Sequence, residues 1–189
     1  MKKDVYAEIP ILENEKFMLR GIQAETDAEA LLKVYSDERA VPLFNSDNCN
    51  GDDFYYKTME RMQQAIAFWQ FSYEHRYFVR WAIVDKHRNE AVGTIELFNR
   101  RAEDYFDNCG LLRLDLRSDY ERVESIHSIL KLIVPKTKEF FFCNRIATKA
   151  IPIAEQRIYV LEQLGFHLSK EVLGGQAGKS YASYYVKEV

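Results

Sequence analysis

The sequence has too little cysteine and too few long apolar runs for several classes of protein. Its three cysteines, Cys49, Cys109 and Cys143, are odd in number and widely separated, so they predict neither a disulfide framework nor a zinc site. No apolar run approaches the roughly 20 residues of a membrane span, and segment 1–17 has no apolar stretch long enough for a signal peptide. We therefore expect a cytoplasmic protein that does not insert into a membrane and holds no metal ion.

An excess of charge of one sign is also lacking. The formal net charge is −3, with acidic and basic residues interspersed, so no broad electropositive surface is expected. Nucleic-acid binding depends on such a surface to neutralise phosphates. We therefore expect no nucleic-acid partner.

Glycine and proline are sparse as well. The eight glycines and four prolines form no linker that would divide the chain, and no internal repeat is present. What is present is a globular composition, with 47% hydrophobic residues and with 12 Phe and 12 Tyr that predict an aromatic-rich core. At 189 residues the chain suits one domain, 1–189.

Hydrophobic periodicity divides the chain into strands and helices. The clearest strand is 110–117, in which leucines alternate with Arg113 and Asp115. Gly93 is expected to mark a bulge, and Pro135 to break or kink a helix. The predicted elements are a strand at 17–22, a helix at 25–35, a helix from a cap at Asp52 or Asp53 to about Tyr73, a hairpin of strands 78–84 and 91–98, the strand 110–117, a helix from about Tyr120, a strand at 145–151, a helix that begins at Pro152 and ends at Gly165, and strands at 166–173 and 181–186.

The segment 145–166, RIATKAIPIAEQRIYVLEQLGF, is the most informative part of the chain. It is typical of a strand, an amphipathic helix that ends in Leu-Gly-Phe, and the start of another strand. This unit resembles the last strand-helix unit of the GNAT superfamily, the acyl-CoA-dependent N-acyltransferases. The order β-α-α-β-β-β-α-β-α-β-β is similar to the GNAT succession, and the spacing from about Val123 to Arg145 and to Leu-Gly-Phe resembles the ribosomal-protein and small-amine acetyltransferase branch. The resemblance implies an α/β (α+β) single domain with a central mixed, mostly antiparallel sheet of about seven strands flanked by helices.

The resemblance also implies where acetyl-CoA would bind as a cosubstrate. It would lie between strands 111–116 and 145–151, with backbone amides around Leu114 and Leu116 as donors to the oxyanion. Its pyrophosphate would lie at the turn into the central helix, where Tyr120 and Val123 stand at the first position and at the central glycine of the family pattern. The residues implied at the cofactor site are Leu114, Leu116, Arg117, Arg122, Val123, Glu124, Ser125 and Arg157.

Two of these residues carry the charge that phosphate requires. Arg117 and Arg122 would clamp phosphate if their side chains point inward. The acids of the same loop, Asp119, Glu121 and Glu124, are equally consistent with stabilising the helix N-terminus without a ligand. In the following helix, Ala154 and Arg157 fall where the family often has Asn and Ser, and Leu161 falls where it often has a tyrosine acid.

Four side chains are candidates for proton transfer. Glu96 and Asp115 lie on predicted core strands, where burial would raise the pKa of a carboxyl group towards that of a general base. Tyr159 is the phenol nearest to the position of the family's acid, and His127 on the central helix is a further candidate base. A structural role is the alternative for each of them.

These features predict an N-acetyltransferase that moves an acetyl group from acetyl-CoA to a primary amine, of a small molecule or of a peptide or protein N-terminus, by direct attack. The alternative is a catalytically inactive GNAT-like binding or interaction module, which the missing glycine and tyrosine favour. Loops 41–53 and 99–108 would choose the acceptor. The protein would be a monomer or a homodimer, with the aromatic side chains of Phe71, Tyr73 and Tyr77 available for a contact.

The segment 174–180, GGQAGKS, resembles a nucleotide-binding loop. However, Leu173 stands in place of the first glycine of that motif, and a strand-like run follows where a phosphate loop must open a helix. We therefore interpret it as a hairpin loop.

Overall fold

A computed structural model describes residues 4–189. Residues 1–3, the start of the segment that we predict not to be a signal peptide, lie outside the described part. An eight-stranded sheet, in the order β1-β2-β3-β4-β5-β6-β10-β7, forms the centre of the fold, and β8 and β9 form a separate two-stranded sheet. All neighbours in the large sheet are antiparallel except β5 and β6. The strands are β1 (Leu12–Glu13), β2 (Phe17–Gly21), β3 (Val79–Asp85), β4 (Glu90–Arg100), β5 (Cys109–Leu116), β6 (Arg145–Lys149), β7 (His167–Leu168), β8 (Leu173–Gly174), β9 (Ser180–Tyr181) and β10 (Tyr184–Glu188).

Helices cover both faces of the sheet. They are α1 (Ala24–Tyr35), α2 (Met59–Glu74), α3 (Val123–Ile133), α4 (Thr137–Phe141) and α5 (Glu155–Gln163). The helices α1 and α2 bury a cluster of their own against one face, with Tyr35 and Trp69 among its members. The helices α3 and α5 pack on the other face through a larger core that includes Ile126, Leu130 and Leu161. No helix in residues 4–189 is both long enough and apolar enough to cross a membrane.

The structure confirms the predicted order of the main elements and several local signals. Gly93 lies beside a shift of register between β3 and β4, as expected for a bulge. At Pro135 the helix α3 gives way to a 3-10 turn, Val134–Lys136, and α4 follows. Gly165 has a φ of 84°, the left-handed conformation expected after the last turn of α5. The sheet has eight strands instead of about seven, because the short strand β1 joins its edge.

Other predicted boundaries are wrong for local reasons. The long helix does not start at Asp52 or Asp53, because each carboxylate accepts the backbone N–H two residues later and holds a loop; α2 begins at Met59 after a Thr58 cap. Pro152 lies in a turn closed by the Ala154 N–H to the Ile151 carbonyl, and α5 begins at Glu155.

The predicted strand 166–173 and the predicted exposure of the Tyr73 side chain are also wrong. The strand is interrupted where the Ser169 hydroxyl accepts the Glu171 N–H and turns the chain, which leaves the short strands β7 and β8. Tyr73 is half-buried and stacks on Tyr6 at 5.9 Å between ring centroids, so it is not an exposed contact residue.

Candidate active site

The sheet opens between β5 and β6. The two parallel strands pair from Cys109 with Arg145 to Leu112 with Thr148, and β5 continues to Leu116 with no further β6 partner. Over the same residues β5 stays paired with β4. One edge of β5 therefore carries backbone groups without a strand partner along 113–116, and Leu114 and Leu116 lie in this stretch with their side chains in the core.

A ladder of charged side chains crosses three strands beside this gap. Arg80 on β3 is directly opposite Glu96 on β4, and Glu96 is directly opposite Arg113 on β5. Arg80 donates to Glu96 Oε2 from Nη2 at 2.6 Å and from Nε at 3.1 Å, and Arg113 Nη1 donates to Glu96 Oε1. Burial raises the pKa of Glu96, but the charges of Arg80 and Arg113 outweigh it and hold the pKa below its usual value. Glu96 is therefore ionised at neutral pH.

Asp115 lies two residues after Arg113 on β5, and its side chain is fully buried. Its Oδ2 accepts from the Tyr35 hydroxyl at 2.7 Å and from Arg80 Nη1 at 2.9 Å, whereas Oδ1 has no partner within residues 4–189. Burial raises the pKa of Asp115 above its ordinary value even though Arg80 and Tyr35 oppose the shift. The two carboxyl groups predicted as bases thus have opposite shifts in their pKa values.

A cavity of about 530 Å³ lies on the α1–α2 face of the sheet. Leu111 and Arg113 of β5, Glu96 of β4 and Tyr184 of β10 line its floor, and α2 and loop 47–54 form its other walls. Asp115 is not among the lining residues. The volume is within the usual range of small-molecule sites.

The segment from Leu43 to Asp47 crosses the sheet at the gap. The Asp47 carboxylate accepts from Lys149 of β6 at 2.8 Å and from the Tyr184 hydroxyl at 3.0 Å. The backbone carbonyl of Asp47 accepts from Arg113 of β5 at 2.8 Å. Asp47 therefore connects the strands on the two sides of the gap. Burial raises the pKa of Tyr184 well above its ordinary value, so its hydroxyl keeps its proton at neutral pH.

The N-terminus of α3 retains part of an anion site. Its first helical hydrogen bond is from the Ile126 N–H to the Arg122 carbonyl, so the N–H groups of Val123, Glu124 and Ser125 have no partner within the helix. Gln156 of α5 accepts the Val123 N–H at 3.3 Å. The N–H groups of Glu124 and Ser125 and the exposed side chain of Arg122 fit a phosphate.

Two other arginines predicted at the cofactor site form ion pairs with acidic side chains of the protein. Arg117 pairs with Asp119 at 2.7 Å and with Glu90 at 3.4 Å. Arg157 is buried and pairs with Glu121, with Nε donating to Oε1 at 2.8 Å, and its Nη1 donates to the Leu43 carbonyl at 3.0 Å. Two of the three acids in the loop are therefore neutralised, and the two arginines have little freedom to reach a phosphate.

The remaining candidates lie away from the cavity. The Tyr159 side chain on α5 is 53% exposed and does not line the cavity, and His127 is half-buried on α3. The structure thus brings Glu96 to the cavity, Leu114 and Leu116 to the gap, and Arg122, Glu124 and Ser125 to one helix N-terminus, but it does not bring Tyr159 to any of these places.

Four charged or polar residues of the site have no role in the sequence-based predictions, and one of them, Tyr184, lies within a predicted strand. Arg80 and Arg113 were parts of strands with no assigned role, and Asp47 lay in a loop with no readable motif. One signal was available, because Arg80 is a charged residue within an otherwise apolar strand, VRWAIV. Asp47 gave none, because its partners are up to 137 residues away in the chain.

Comparison with known proteins gives one family and a consistent set of structures. The model of the acetyltransferase (GNAT) domain matches residues 16–167. A curated relative, the uncharacterized N-acetyltransferase YoaA of Bacillus subtilis strain 168, is 31% identical over 102 residues. That match covers 50% of this chain and 51% of the relative, so the chain aligns with about half the length of the curated relative it matches.

Two solved structures have the same fold at low identity. One is the microcin C7 self-immunity acetyltransferase MccE in complex with acetyl-CoA and AMP, with a TM-score of 0.69, 13% identity and coverage of 93% of this chain and 94% of the other. The second is the ribosomal-protein-S5-alanine acetyltransferase from Vibrio fischeri, with a TM-score of 0.63, 17% identity and coverage of 95% and 96%. Together with the sheet that opens after Leu112, the family match over most of the chain establishes that this protein belongs to the GNAT acetyltransferase family.

Proposed function

We propose that this protein transfers an acetyl group from acetyl-CoA to a primary amine by direct attack of the amine on the thioester. The proposal is supported mainly by the strand β5, which both lines the cavity and borders the gap in the sheet. Leu111 and Arg113 line the cavity, and β5 loses its β6 partner immediately after Leu112. An amine in the cavity would therefore be adjacent to an acyl donor in the gap.

Residues of this chain fit the two ends of acetyl-CoA, which supplies the activated acetyl group when bound. The N–H groups of Glu124 and Ser125 and the guanidinium of Arg122 would hold its phosphates. Backbone N–H groups around Leu114 and Leu116 would donate hydrogen bonds to the thioester oxygen, which gains negative charge as the amine attacks.

For the proton that the amine must lose, Glu96 has the better position and Asp115 the better pKa. Glu96 lines the cavity, but its two arginine partners hold its pKa below that of an ordinary carboxylate. Proton transfer to it from an ammonium with a pKa of about 10 would be uphill by more than 5 pKa units, or roughly 7 kcal/mol. We infer that Glu96 orients the amine, and that the amine attacks in its neutral form, after its proton has passed to hydroxide or buffer in the bulk solvent.

For the proton that the sulfur leaving group must gain, Tyr184 is favoured over Tyr159. The Tyr184 hydroxyl lies at the cavity floor and is hydrogen-bonded to Asp47 beside the gap. Burial raises its pKa, which keeps the hydroxyl protonated at neutral pH and also weakens it as an acid, so its position is what favours it. The Tyr159 side chain is 53% exposed and does not line the cavity.

The test measures thiol release from acetyl-CoA with a panel of primary amines and a short peptide. Amine-dependent release, reduced in Tyr184→Phe, supports the proposal. A second candidate, a module that binds acetyl-CoA without turnover, is favoured by Val123 and by the Gln156 side chain at the α3 N-terminus. Calorimetric binding of acetyl-CoA that is lost in Arg122→Glu, with no thiol release for any acceptor, would establish the module and overturn the enzyme.

A further inference from the structure

The carboxylates that line the cavity have little hydrogen-bonding capacity left. They are Asp47, Asp52 and Glu96, and each accepts three hydrogen bonds from the protein, at least one of them from an arginine or lysine. A carboxylate has about four acceptor positions, so each of the three keeps about one. The lining can therefore receive one ligand ammonium at Glu96, but it is poorly suited to a ligand with several.

The arginines that line the cavity have N–H groups to spare. Each guanidinium has five donors, and four arginines belong to the lining, Arg61, Arg80, Arg100 and Arg113. Arg113 donates from Nη1 to Glu96 and from Nη2 to the Asp47 carbonyl, and its buried Nε has no partner within residues 4–189. The unused capacity of the lining thus consists mainly of donors, which suits a ligand that accepts hydrogen bonds.

The charge of Arg113 is only partly balanced. Glu96 pairs with both Arg80 and Arg113, and Arg80 has a second carboxylate, Asp115, which does not line the cavity. The other partner of Arg113, the Asp47 carbonyl, is uncharged. The Arg113 side chain is only 11% exposed, so solvent screens its charge weakly. An anion in the cavity would therefore be stabilised by Arg113.

The other polar side chains of the lining do not change this balance. They are uncharged residue types, Asn48, Cys49, Asn50, Tyr56, Tyr77 and Tyr184. The cations at the two ends of the lining have a carboxylate of their own, since Arg61 pairs with Asp52 and Arg100 with Asp104. Arg113 is consequently the lining cation with the smallest share of negative charge among the described residues.

Arg113 also lies at the place where the acetyl group would be transferred. It follows Leu112, the last residue of β5 that pairs with β6, and it is bonded to Glu96, which would orient the amine. An anion bound to Arg113 would therefore be close to the amine of the same molecule. A carboxylate fits best, because its planar pair of oxygens matches the donors of a guanidinium.

We propose that the acceptor is a free amino acid, whose carboxylate binds to Arg113 while its amine is acetylated. This inference rests on the proposed function and names its substrate class. The carboxylate would accept N–H groups that Arg113 does not use within the protein. A peptide N-terminus has a neutral amide in the position of this carboxylate, and a simple alkylamine has nothing there, so both would be poorer acceptors.

The experiment compares free amino acids with matched acceptors that lack the negative charge. Leucine is compared with leucinamide and 3-methylbutylamine, and phenylalanine with phenylalaninamide and 2-phenylethylamine; other amino acids are tested in the same way. Rates of thiol release are referred to the concentration of unprotonated amine, because the compounds differ in basicity. We expect kcat/KM for the preferred amino acid to exceed that of its amide and its alkylamine by about ten-fold to a hundred-fold, which corresponds to about 1.4–2.8 kcal/mol.

Equal or better turnover of the amides, the alkylamines or a short peptide, for every amino acid tested, would overturn this inference. The acetyltransferase proposal would then remain intact, because acetyl transfer to an amine would still have been observed.

A matched pair of variants tests the position of the carboxylate. Arg113 and Arg61 both line the cavity, but the Arg61 side chain is 40% exposed. We expect Arg113→Gln to bring the ratio of kcat/KM between amino acid and amide close to one, and Arg61→Gln to leave this ratio unchanged. The ratio does not depend on the amount of folded enzyme, so partial unfolding cannot produce the result. A ratio that persists in Arg113→Gln, or that is lost only in Arg61→Gln, would contradict the inferred position.

If Arg113→Gln does not fold, Arg113→Lys replaces it. Lysine keeps one positive charge but lacks the planar pair of donors, so we expect the ratio to fall by a smaller factor. An unchanged ratio in this variant would also contradict the inferred position.

Direct binding of an amino acid and its amide, measured by ligand-observed NMR, separates this inference from the enzymatic one. Tighter binding of the amino acid than of the amide, without turnover of any amine, would support the carboxylate site and overturn the catalytic proposal. Turnover without a preference for the carboxylate would overturn the acceptor class alone. If neither the preference nor turnover is found, both are wrong.

Discussion

The Glu96→Gln substitution removes one charge from the buried ladder while keeping the size of the side chain. Glu96 accepts three guanidinium N–H groups, Nε and Nη2 of Arg80 and Nη1 of Arg113. Glutamine has one acceptor oxygen, and its NH₂ group would face a guanidinium donor. Breaking a buried ion pair costs about 3–5 kcal/mol because it leaves a charge uncompensated, so we expect a loss of that size in the free energy of unfolding. For a chain of this length the loss lowers Tm by roughly 6–20 °C.

Asp115→Asn is the matched control. Its oxygen can still accept from Tyr35 and Arg80, and its NH₂ group replaces Oδ1, which has no partner among the described residues. We expect the free energy of unfolding to change by about 1 kcal/mol or less. Urea unfolding followed by the fluorescence of Trp69 and Trp81, both buried, measures the two variants. A loss below about 1 kcal/mol in Glu96→Gln, or an equal loss in both variants, would refute the reasoning.

The pH dependence gives a second, independent test. The pKa of Glu96 is lowered on folding, so its stabilisation is complete above its unfolded pKa of about 4.3 and is lost as the pH falls towards the folded value. The difference between wild type and Glu96→Gln should therefore shrink below about pH 4.5. The pKa of Asp115 is raised, so its ionisation destabilises the fold as the pH rises above about 3.9, and Asp115→Asn should gain relative to wild type in that direction.

The other expectations concern catalysis, cofactor binding and the sheet. Tyr184→Phe should lower kcat by about a hundred-fold or more by removing a proton donor, whereas Tyr159→Phe should leave it unchanged. The reverse result in initial-rate assays would restore Tyr159 as the acid. Arg122→Glu should weaken acetyl-CoA binding about ten-fold or more in calorimetry, with a smaller effect at high salt. If the variant and the wild type bind acetyl-CoA with equal affinity at every salt concentration, Arg122 is not part of the phosphate site. A profile of kcat/KM against pH should rise as the ammonium group of the acceptor loses its proton and have no break near pH 5–7; such a break would mean that Glu96 or another carboxyl group is the base. Gly93→Ala should destabilise the protein by about 1–3 kcal/mol in urea unfolding, because its methyl group would overlap a carbonyl oxygen of β5. An unchanged midpoint would mean that the strands can separate there.

The parts of the fold that could be predicted from the sequence are those determined by residues close together in the chain. The helix α3 and the strand β5 follow from periodicity, and Gly165 from the conformation that ends α5. The boundaries at Asp52 and Ser169 could not be predicted in this way, because each side chain bonds to the backbone two residues on and thereby competes with helix or strand.

The candidate site was less predictable than the fold because its contacts are distant in the chain. Periodicity identified Glu96 and Asp115 as charged residues on core strands, but it could not distinguish them. Their environments differ because Arg80 and Arg113 are opposite Glu96 in the sheet, and register is a tertiary property. Asp47 acts through Lys149 and Tyr184, more than 100 residues later.

The bulge in β4 has a consequence for the shape of the whole sheet. The extra residue, Val92, lies between Ala91 and Gly93, where β3 changes register, and Gly93 is opposite Leu116 at the end of β5. A bulge bends its strand and increases the local right-handed twist, so the neighbouring end of β5 is rotated away from the plane of β6. The bulge and the opening of the sheet thus lie at the same end of β5, because Gly93 is opposite Leu116, the last residue of the stretch that has no β6 partner.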